Sequence, residues 1–156
     1  MVKIEGEYYH LDTTWGDGSN TKKELNHSSE IGYNYFCVTT DEIVKIDDHM
    51  PNKDLPLPES TATACNYHHR HGLYFEQYNE ARMKLIIKES VRRRRNRISI
   101  KCANDEVYKE CYSELVSKGG FLKMLGESKG TVNCKWETSI SKEDKLRILT
   151  FEIRRV

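Results

Sequence analysis

The residues best suited to chemistry lie near the start of the chain, where Tyr9, Asp12 and Trp15 fall within one short segment. A carboxylate that leaves a strand beside a tryptophan and a glycine-containing turn can be buried and oriented towards a reacting group. An ordinary edge strand with polar side chains would have the same composition. Asp12 is therefore a candidate site residue, and the structural interpretation stays open beside it.

Two further groups could act with Asp12. His10 precedes it by two positions, so on a strand both side chains would share a face with their Cβ atoms roughly 6–7 Å apart. Cys37 lies on the next predicted strand, where a nucleophile would have to be an exposed thiol of low pKa. Its neighbours Phe36 and Val38 favour a small buried side chain instead.

A second cluster, over residues 65–71, concentrates soft metal ligands. Its zinc ligands would be Cys65, His69 and His71. A structural zinc site takes paired ligands from two separate segments, whereas this cluster is isolated, and on a strand Cys65 would lie far from the two histidines. We therefore predict neither a native metal site nor a cofactor, and interpret the segment as a polar entry into a second domain.

The strongest basic feature is a run of arginines at the end of a predicted helix. It consists of Arg92, Arg93, Arg94, Arg95 and Arg97. Clustered arginines can pair with phosphates, so nucleic-acid binding is one hypothesis. The helix dipole favours cations at a helix C-terminus in any protein, and no aromatic stacking platform accompanies the run. Nucleic acid is thus the least favoured partner, and contact with an acidic part of the same chain is the alternative.

Composition bounds the class of protein. The 156 residues, 37% hydrophobic and 31% charged, suit one ordinary domain or two small ones. The apolar runs are too short for a membrane span. No apolar segment follows the N-terminus, so any export signal would lie outside this chain. Five widely spaced cysteines, an odd number without a C-x-x-C pair, predict reduced and mostly buried thiols.

The net charge of +1 hides an asymmetry between the two halves of the chain. Residues 1–60 contain 5 Lys+Arg and 12 Asp+Glu, a balance of −7. Residues 61–156 contain 20 and 12, a balance of +8. This difference predicts two halves with different surfaces that could face each other.

The first half predicts a small antiparallel sheet. Residues 2–5 and 7–12 alternate apolar and polar side chains about Gly6, which predicts a hairpin. Residues 33–38 predict another strand, and Thr39 with Glu42 forms a capping box before a short helix near 40–46. Residues 49–66 contain all three prolines and predict an extended linker.

The second half predicts a regular alternation of helices and strands. Helical spacing of apolar residues predicts a helix over 78–94, and alternation predicts strands over 98–102, 132–137 and 146–153. Asn104 predicts the N-cap of a helix that Gly119-Gly120 ends, before a shorter helix over 121–125. The fold class is therefore α+β: a partial antiparallel sheet over 1–64, then a small α/β module over 66–156 with helices on one face of a sheet.

The string KIEGEYYHLDTTWGD resembles a segment of bacterial transglutaminase-like proteins, of the papain-like cysteine peptidase superfamily, that reads roughly (V/I)-K-(I/V)-(D/E)-G-x-(W/Y)-Y-H-(V/L)-D-x-T-W-x-D. The match is dense over Lys3 to Asp17. Weaker similarity follows at Tyr35-Phe36, Thr40-Asp41-Glu42 and Asp48-His49. Residues 66–75 and the helices after them are similar to a C-terminal module of clostridial-type members.

The resemblance implies a Cys-His-Asp thiol enzyme, in which a thiolate attacks an amide carbonyl and a carboxylate orients the imidazole that moves the proton. Asp12 matches the orienting acid, and Trp15 and Tyr9 would bind substrate or shield the site from water. The histidine of the family's H-A-W-N motif would fall just upstream of Met1, and the cysteine further upstream, so both are missing from this sequence. His10 is a strand residue of the motif without a catalytic role.

These observations predict a fragment or truncated homologue of a transglutaminase-like acyltransferase or peptidase, which acts on protein amide bonds when intact and is inactive as given. The first alternative is a non-catalytic module that binds a peptide or protein near Asp12 and Trp15 or at the basic helix end. The second is nucleic-acid binding. Because the missing upstream segments would leave apolar sheet surface exposed, we also predict a homo-oligomer or docking of the second module on that surface. No membrane partner is predicted, and the compartment stays open, since intact members of the family are often exported.

Overall fold

A computed structural model of the chain describes residues 1–13, 33–45, 57–128 and 136–155. The fold is α+β, as the sequence predicts, and its strands form two separate sheets. The chain divides into two compact units, Met1–Gly72 and Leu73–Val156. The domain boundary predicted from the sequence, at 64–66, lies earlier in the chain than this division.

The first unit is built on a three-stranded antiparallel sheet. Its strands are β1 (Val2–Ile4), β2 (Glu7–Leu11) and β3 (Phe36–Val38), in the order β1-β2-β3. Glu5 and Gly6 join the first two strands with φ angles of 52° and 92°. Positive φ at both central residues is the turn geometry that matches the twist of a hairpin. The hairpin predicted about Gly6 is therefore confirmed.

The strand β3 is shorter than predicted, since Tyr33–Tyr35 forms a 3-10 turn that leads into it. His10 lies opposite Val38 and Leu11 opposite Phe36, so Cys37 is the extra residue of a β-bulge. Its φ of 54° is a left-handed conformation that residues with a Cβ adopt rarely. The bulge falls at the end of β2 that leads to Asp12.

Two short helices complete the described part of the first unit, α1 (Thr40–Ile43) and α2 (Tyr67–Arg70). The predicted capping box before α1 is confirmed, because Thr39 Oγ1 accepts from the N–H of Glu42 and the Glu42 carboxylate accepts from the N–H of Thr39. The segment with His69 and His71, interpreted from the sequence as a polar entry into a second domain, is helical and belongs to the first unit. The cause is local, since Asn66 caps the helix and residues 65–71 contain no β-branched side chain.

The second unit contains a four-stranded sheet. Its strands are β4 (Tyr74–Phe75), β5 (Arg97–Cys102), β6 (Trp136–Glu143) and β7 (Ile148–Arg155), in the order β4-β5-β7-β6. β4 runs parallel to β5, and the other pairs are antiparallel. Residues 129–135, where much of a strand was predicted, lie outside the described residues. The strand over 138–143 was not predicted, because Ile140 is the only apolar side chain there and the alternation typical of a strand is absent.

The helices of this unit are α3 (Glu80–Arg92), α4 (Asp105–Tyr112) and α5 (Gly120–Glu127), with a π-helical turn at Ser113–Ser117 between the last two. Asn104 caps α4 as predicted, by accepting from the N–H of Val107 at 2.9 Å. The helix predicted to begin after Asn104 is confirmed as α4 with the π-helical turn that follows it, and α5 begins one residue earlier and ends two residues later than the helix predicted over 121–125. No helix in the described ranges is long and apolar enough to cross a membrane.

The core of the second unit forms where α4 and α5 pack on the central strands. Ile98, Ile100 and Cys102 alternate along β5, and all three are buried. Phe151 of β7 stacks on Phe121 of α5, with ring centroids 4.1 Å apart. The buried apolar side chains of the helices and of the π-helical turn are Met83, Ile87, Val107, Cys111, Leu115, Phe121, Met124 and Leu125, and Ser90 of α3 is buried as well. This layer is almost wholly apolar.

The Gly119-Gly120 pair at the start of α5 requires glycine at each position for a different reason. Gly119 has a φ of 70°, which residues with a Cβ rarely adopt. A Cβ on Gly120 would collide with the carbonyl oxygen of Glu114. The two glycines therefore let the chain turn tightly from the π-helical turn into α5.

Candidate functional site

Asp12, the main sequence candidate, directly follows β2. Its backbone N–H donates to the carbonyl oxygen of Tyr35 at 3.1 Å, which fixes the chain at the point where the strand ends. The Asp12 side chain is half-buried. A half-buried carboxylate on a fixed backbone can orient a hydrogen-bond donor. Trp15, predicted to shield it, lies outside the described residues.

A cluster of polar side chains stabilises β2, the strand that leads to Asp12, through hydrogen bonds. His10 is 7% exposed, and its Nε2 lies 3.0 Å from the hydroxyl oxygen of Thr40. The same hydroxyl accepts from the N–H of Ser60 at 2.8 Å. The Ser60 hydroxyl donates in turn to the carbonyl oxygen of Tyr8. Residues of β2, α1 and the segment before α2 are thereby joined through side chains.

The protonation state of His10 follows from its surroundings. Burial lowers the pKa of the imidazole, and the N-terminal ammonium lowers it further. A neutral ring can accept at Nε2, and the Thr40 hydroxyl, which already accepts from Ser60, still has its proton to donate. We assign that hydroxyl as the donor. His10 is thus held by Thr40, in agreement with its interpretation as a structural residue of the strand.

Tyr9 and Cys37 are both buried. Tyr9 is 2% exposed, and its hydroxyl is hydrogen-bonded to the thiol of Cys65. Burial raises the pKa of Tyr9, with that hydrogen bond as the second cause. Cys37 is 4% exposed, as its apolar neighbours predict, and burial raises the pKa of its thiol. A buried thiol of raised pKa is a poor nucleophile.

Asn66 was not among the site residues predicted from the sequence. This side chain is 1% exposed and does two things: its oxygen caps α2, and its Nδ2 donates to the carbonyl oxygen of Cys37 at 3.3 Å. The ring of Tyr67 stacks on Tyr33 with centroids 4.4 Å apart. The segment after the linker therefore packs on the bulge of β3. An asparagine just before a short run without Gly or Pro was the one available signal, as an N-cap.

The three candidate zinc ligands do not form a cluster with metal-ligand spacing. Cys65 is hydrogen-bonded to Tyr9, and the exposed ring of His71 lies 4.7 Å from the ring of Tyr67, centroid to centroid. His69 lies inside α2. Across the ranges that the structure describes, no group of three or more His, Cys, Asp or Glu side chains is arranged to hold a metal ion.

The arginine run does lie at a helix C-terminus, as predicted, but its members are divided. Glu89 binds Arg92 through two hydrogen bonds of 2.7 and 2.8 Å and also binds Arg93. The hydrogen bond to Arg92 is the main cause that lowers the pKa of Glu89 to about 2.

After that pair the chain leaves the helix. Arg94 has a φ of 54°, its N–H donates to the carbonyl oxygen of Val91, and the N–H of Arg95 donates to that of Ser90. These two bonds form a Schellman motif with an arginine where glycine is usual. Arg97 is half-buried in β5. The run therefore presents no continuous helical face of arginines to a phosphate backbone.

No family model matches the sequence, and no curated protein matches it. The resemblance of the first seventeen residues to transglutaminase-like proteins stays a prediction.

Proposed function

We propose that this chain carries the acid-bearing part of a transglutaminase-like thiol enzyme, with Asp12 as the carboxylate that orients a catalytic imidazole. The observation that carries the proposal is the setting of Asp12. It follows the second strand of an antiparallel hairpin, its backbone is hydrogen-bonded to Tyr35, and its side chain is half-buried. A carboxylate held in this way can accept the Nδ1–H of an imidazole and stabilise the imidazolium that forms during acyl transfer.

The chain itself would not turn over substrate. The family's thiol and imidazole are absent, and the groups that could replace them are engaged or buried. His10 is bonded to Thr40, and Cys37 is a buried thiol of raised pKa. An orienting carboxylate without a nucleophile and a base has no bond to break. The intact enzyme would act on protein amide bonds, by amine incorporation or by hydrolysis.

The test begins with the DNA that precedes the Met1 codon. The proposal expects an in-frame continuation that encodes a G-x-C-x-G turn and an H-A-W-N motif, and the longer protein is then assayed for incorporation of a fluorescent amine into casein. Replacing Asp12 with Asn should lower kcat/KM by roughly 100- to 10,000-fold, because the imidazole loses its orienting acceptor.

The matched control is Asp41→Asn, the same chemical change at an exposed position of α1, which should leave kcat/KM unchanged. Full activity of Asp12→Asn would refute the proposal. So would turnover by the chain as given that disappears in Cys37→Ala, because that result would make Cys37 a working nucleophile.

A further inference from the structure

The strand β6 lies at one edge of the four-stranded sheet. The strand order is β4-β5-β7-β6, so among the described residues β6 is hydrogen-bonded along one side only, to β7. That pairing covers all eight residues of β6, from Trp136 opposite Arg155 to Glu143 opposite Ile148, without a register shift. The backbone N–H and C=O groups on the other side of β6 therefore form a regular row, which is a template for another strand.

The side chains of β6 leave this edge accessible on both faces of the sheet. Ile140 lies opposite Phe151, whose ring stacks on Phe121 of α5, so Ile140 is on the face that the helices cover. It is nevertheless 41% exposed, so the helix layer does not cover β6 completely. On the opposite face, Ser139 and Ser141 are exposed as well. A β-branched apolar side chain is thus left in water on an unpaired edge.

The features that usually protect an edge strand from pairing are missing from β6. Natural edge strands carry a proline, a β-bulge or a lysine directed outwards. Residues 136–143 contain no proline, and their ladder with β7 has no bulge. The one lysine of the strand is Lys142, and its Nζ lies 4.8 Å from the centroid of the Tyr112 ring of α4. This contact holds the ammonium group over the helix layer, which leaves the edge open to a partner strand.

The partner that this edge fits best is a second copy of the same strand. Two copies related by a two-fold axis perpendicular to the sheet pair antiparallel, and one residue then faces its own counterpart on the axis. A two-fold contact of this kind is closed, so it stops at two chains. The position of the axis decides which side chains face each other. With the axis at Ile140, Glu137 of each copy would face Glu143 of the other, and like charges directly opposite destabilise a ladder.

An axis at Ser139 avoids this repulsion. Residues 136–142 of each copy are then paired, with Glu137 facing Ser141 and Thr138 facing Ile140. The pair of Thr138 and Ile140 occurs twice and removes Ile140 from water, and β-branched side chains pack well across strands. An axis at Thr138 or Ser141 would pair a shorter part of β6, which ends at Trp136 and Glu143. The register centred on Ser139 is therefore the longest one without like charges opposite each other.

We propose that the chain forms a symmetric dimer through β6, in which two copies of residues 136–142 pair antiparallel about Ser139 and join their four-stranded sheets into one continuous sheet. The new ladder contains about six to eight N–H···O=C bonds, since alternate opposed pairs exchange two bonds each. The dimer is a property of the second unit and does not depend on the function proposed for Asp12. It also differs from the self-association predicted from the sequence, which concerns the sheet surface of residues 1–64.

Disulfide trapping in the full chain tests both the contact and its register. Ser139→Cys places two thiols opposite each other on the axis, at a Cβ separation of about 4.5–5.5 Å that a disulfide spans with little adjustment. Trypsin cleaves after Lys135 and Lys142, and the peptide 136–142 contains no native cysteine and occurs once in the chain. Two linked copies of this peptide therefore come from two chains. The expected result is that this linked species forms rapidly under mild oxidation of the folded protein and disappears on reduction.

The matched control is Ser141→Cys, at another exposed serine of the same peptide. Its counterpart in the second copy lies four residues further along the ladder, roughly 14 Å away, so this variant should link much more slowly. Equal rates of linkage in the two variants would overturn the proposal. Faster linkage in Ile140→Cys than in Ser139→Cys would overturn it as well, because the axis would then lie at a different residue.

Sedimentation equilibrium measures the association without an added cysteine. The mass of the wild-type chain should rise from 18.3 kDa towards twice that value as the concentration increases. Ser139→Glu and Ser139→Lys should each raise the dissociation constant by roughly two- to fivefold, because like charges then meet on the axis.

An equimolar mixture of Ser139→Glu and Ser139→Lys should associate more tightly than either variant alone, because opposite charges then face each other on the axis. Misfolding of a variant would not produce this rescue. A wild-type mass of 18.3 kDa at every concentration would overturn the proposal. So would a mixture that associates no more tightly than its two components.

Discussion

The three-stranded sheet of the first unit is joined by side chains that lie far apart in sequence, whereas the four-stranded sheet of the second is buried under apolar helices. In the first unit the imidazole of His10 reaches Thr40, and Ser60 bonds both Thr40 and Tyr8. In the second unit Phe121 stacks on Phe151 within a layer of isoleucine, leucine and methionine. One unit depends on satisfied polar groups, and the other depends on removal of apolar area from water.

This difference bears on where a function can lie. The candidate carboxylate Asp12 follows a strand that the polar contacts hold, so its position depends on protonation states.

The largest effect is expected in the apolar layer. Phe151→Ala removes a fully buried ring and its stack on Phe121, and should lower the free energy of unfolding by about 3–5 kcal/mol. Urea denaturation followed by near-UV circular dichroism measures it. The control Leu122→Ala, at a side chain that is 56% exposed, should change it by less than about 0.5 kcal/mol. Equal losses in the two variants would contradict an apolar origin of stability in this unit.

A smaller effect is expected when one hydroxyl of the polar cluster is removed. Thr40→Val keeps the volume of the side chain but leaves His10 Nε2 and the N–H of Ser60 without a partner, at a cost of about 1–3 kcal/mol. Hydrogen exchange of the peptide that contains β2 should therefore accelerate. The matched control is Thr63→Val, at an exposed position. Unchanged exchange in Thr40→Val would show that the cluster does not hold β2.

The same cluster predicts a dependence on pH. The pKa of His10 lies below its ordinary value of 6.5 in the folded chain, so the unfolded chain binds the proton first. The contribution of neutral His10 to the free energy of unfolding should be fully present above about pH 6.5. It should decrease as the pH falls towards the pKa of His10 in the folded chain. Hydrogen exchange of β2, measured across this range, follows the decline. His10→Gln should make the exchange of β2 nearly independent of pH. The control His71→Gln, at an exposed ring, should keep the dependence of the wild-type chain. A strong pH dependence in both variants would show that a group other than His10 causes it.

The smallest effect is expected at Glu89 on the surface of α3. The carboxyl should titrate with a pKa of about 2, and the contribution of its ion pairs should be lost only as the pH falls from 4.5 towards 2. Near neutral pH, Glu89→Gln should leave the urea midpoint unchanged, because exposed ion pairs contribute little. The variant should bind a heparin column more strongly, since Arg92 and Arg93 lose their partner. A large fall in the midpoint would mean that the arginine run has a structural role.

Prediction from the sequence succeeded where the physics is local. The hairpin depends on Glu5-Gly6, α1 on the Thr39–Glu42 capping box and α4 on the cap at Asn104, and each signal acts within four residues. The helix α3 and the strand β5 were predicted for the same reason, because the spacing of their apolar residues is a local pattern. The strand over 138–143 was missed for an equally local reason, because Ile140 is the only apolar side chain among these residues.

Local sequence signals predicted most of the helices and strands, the α+β class and Asp12 as the candidate carboxylate after a strand. The partners of the buried side chains follow from the tertiary structure: Thr40 for His10, Cys65 for Tyr9 and Cys37 for Asn66. The two sets of features differ in how far along the chain the interactions act. Turn, cap and periodicity energies act between neighbours in the chain, whereas a buried hydrogen bond forms only after packing has brought two distant segments together and excluded water.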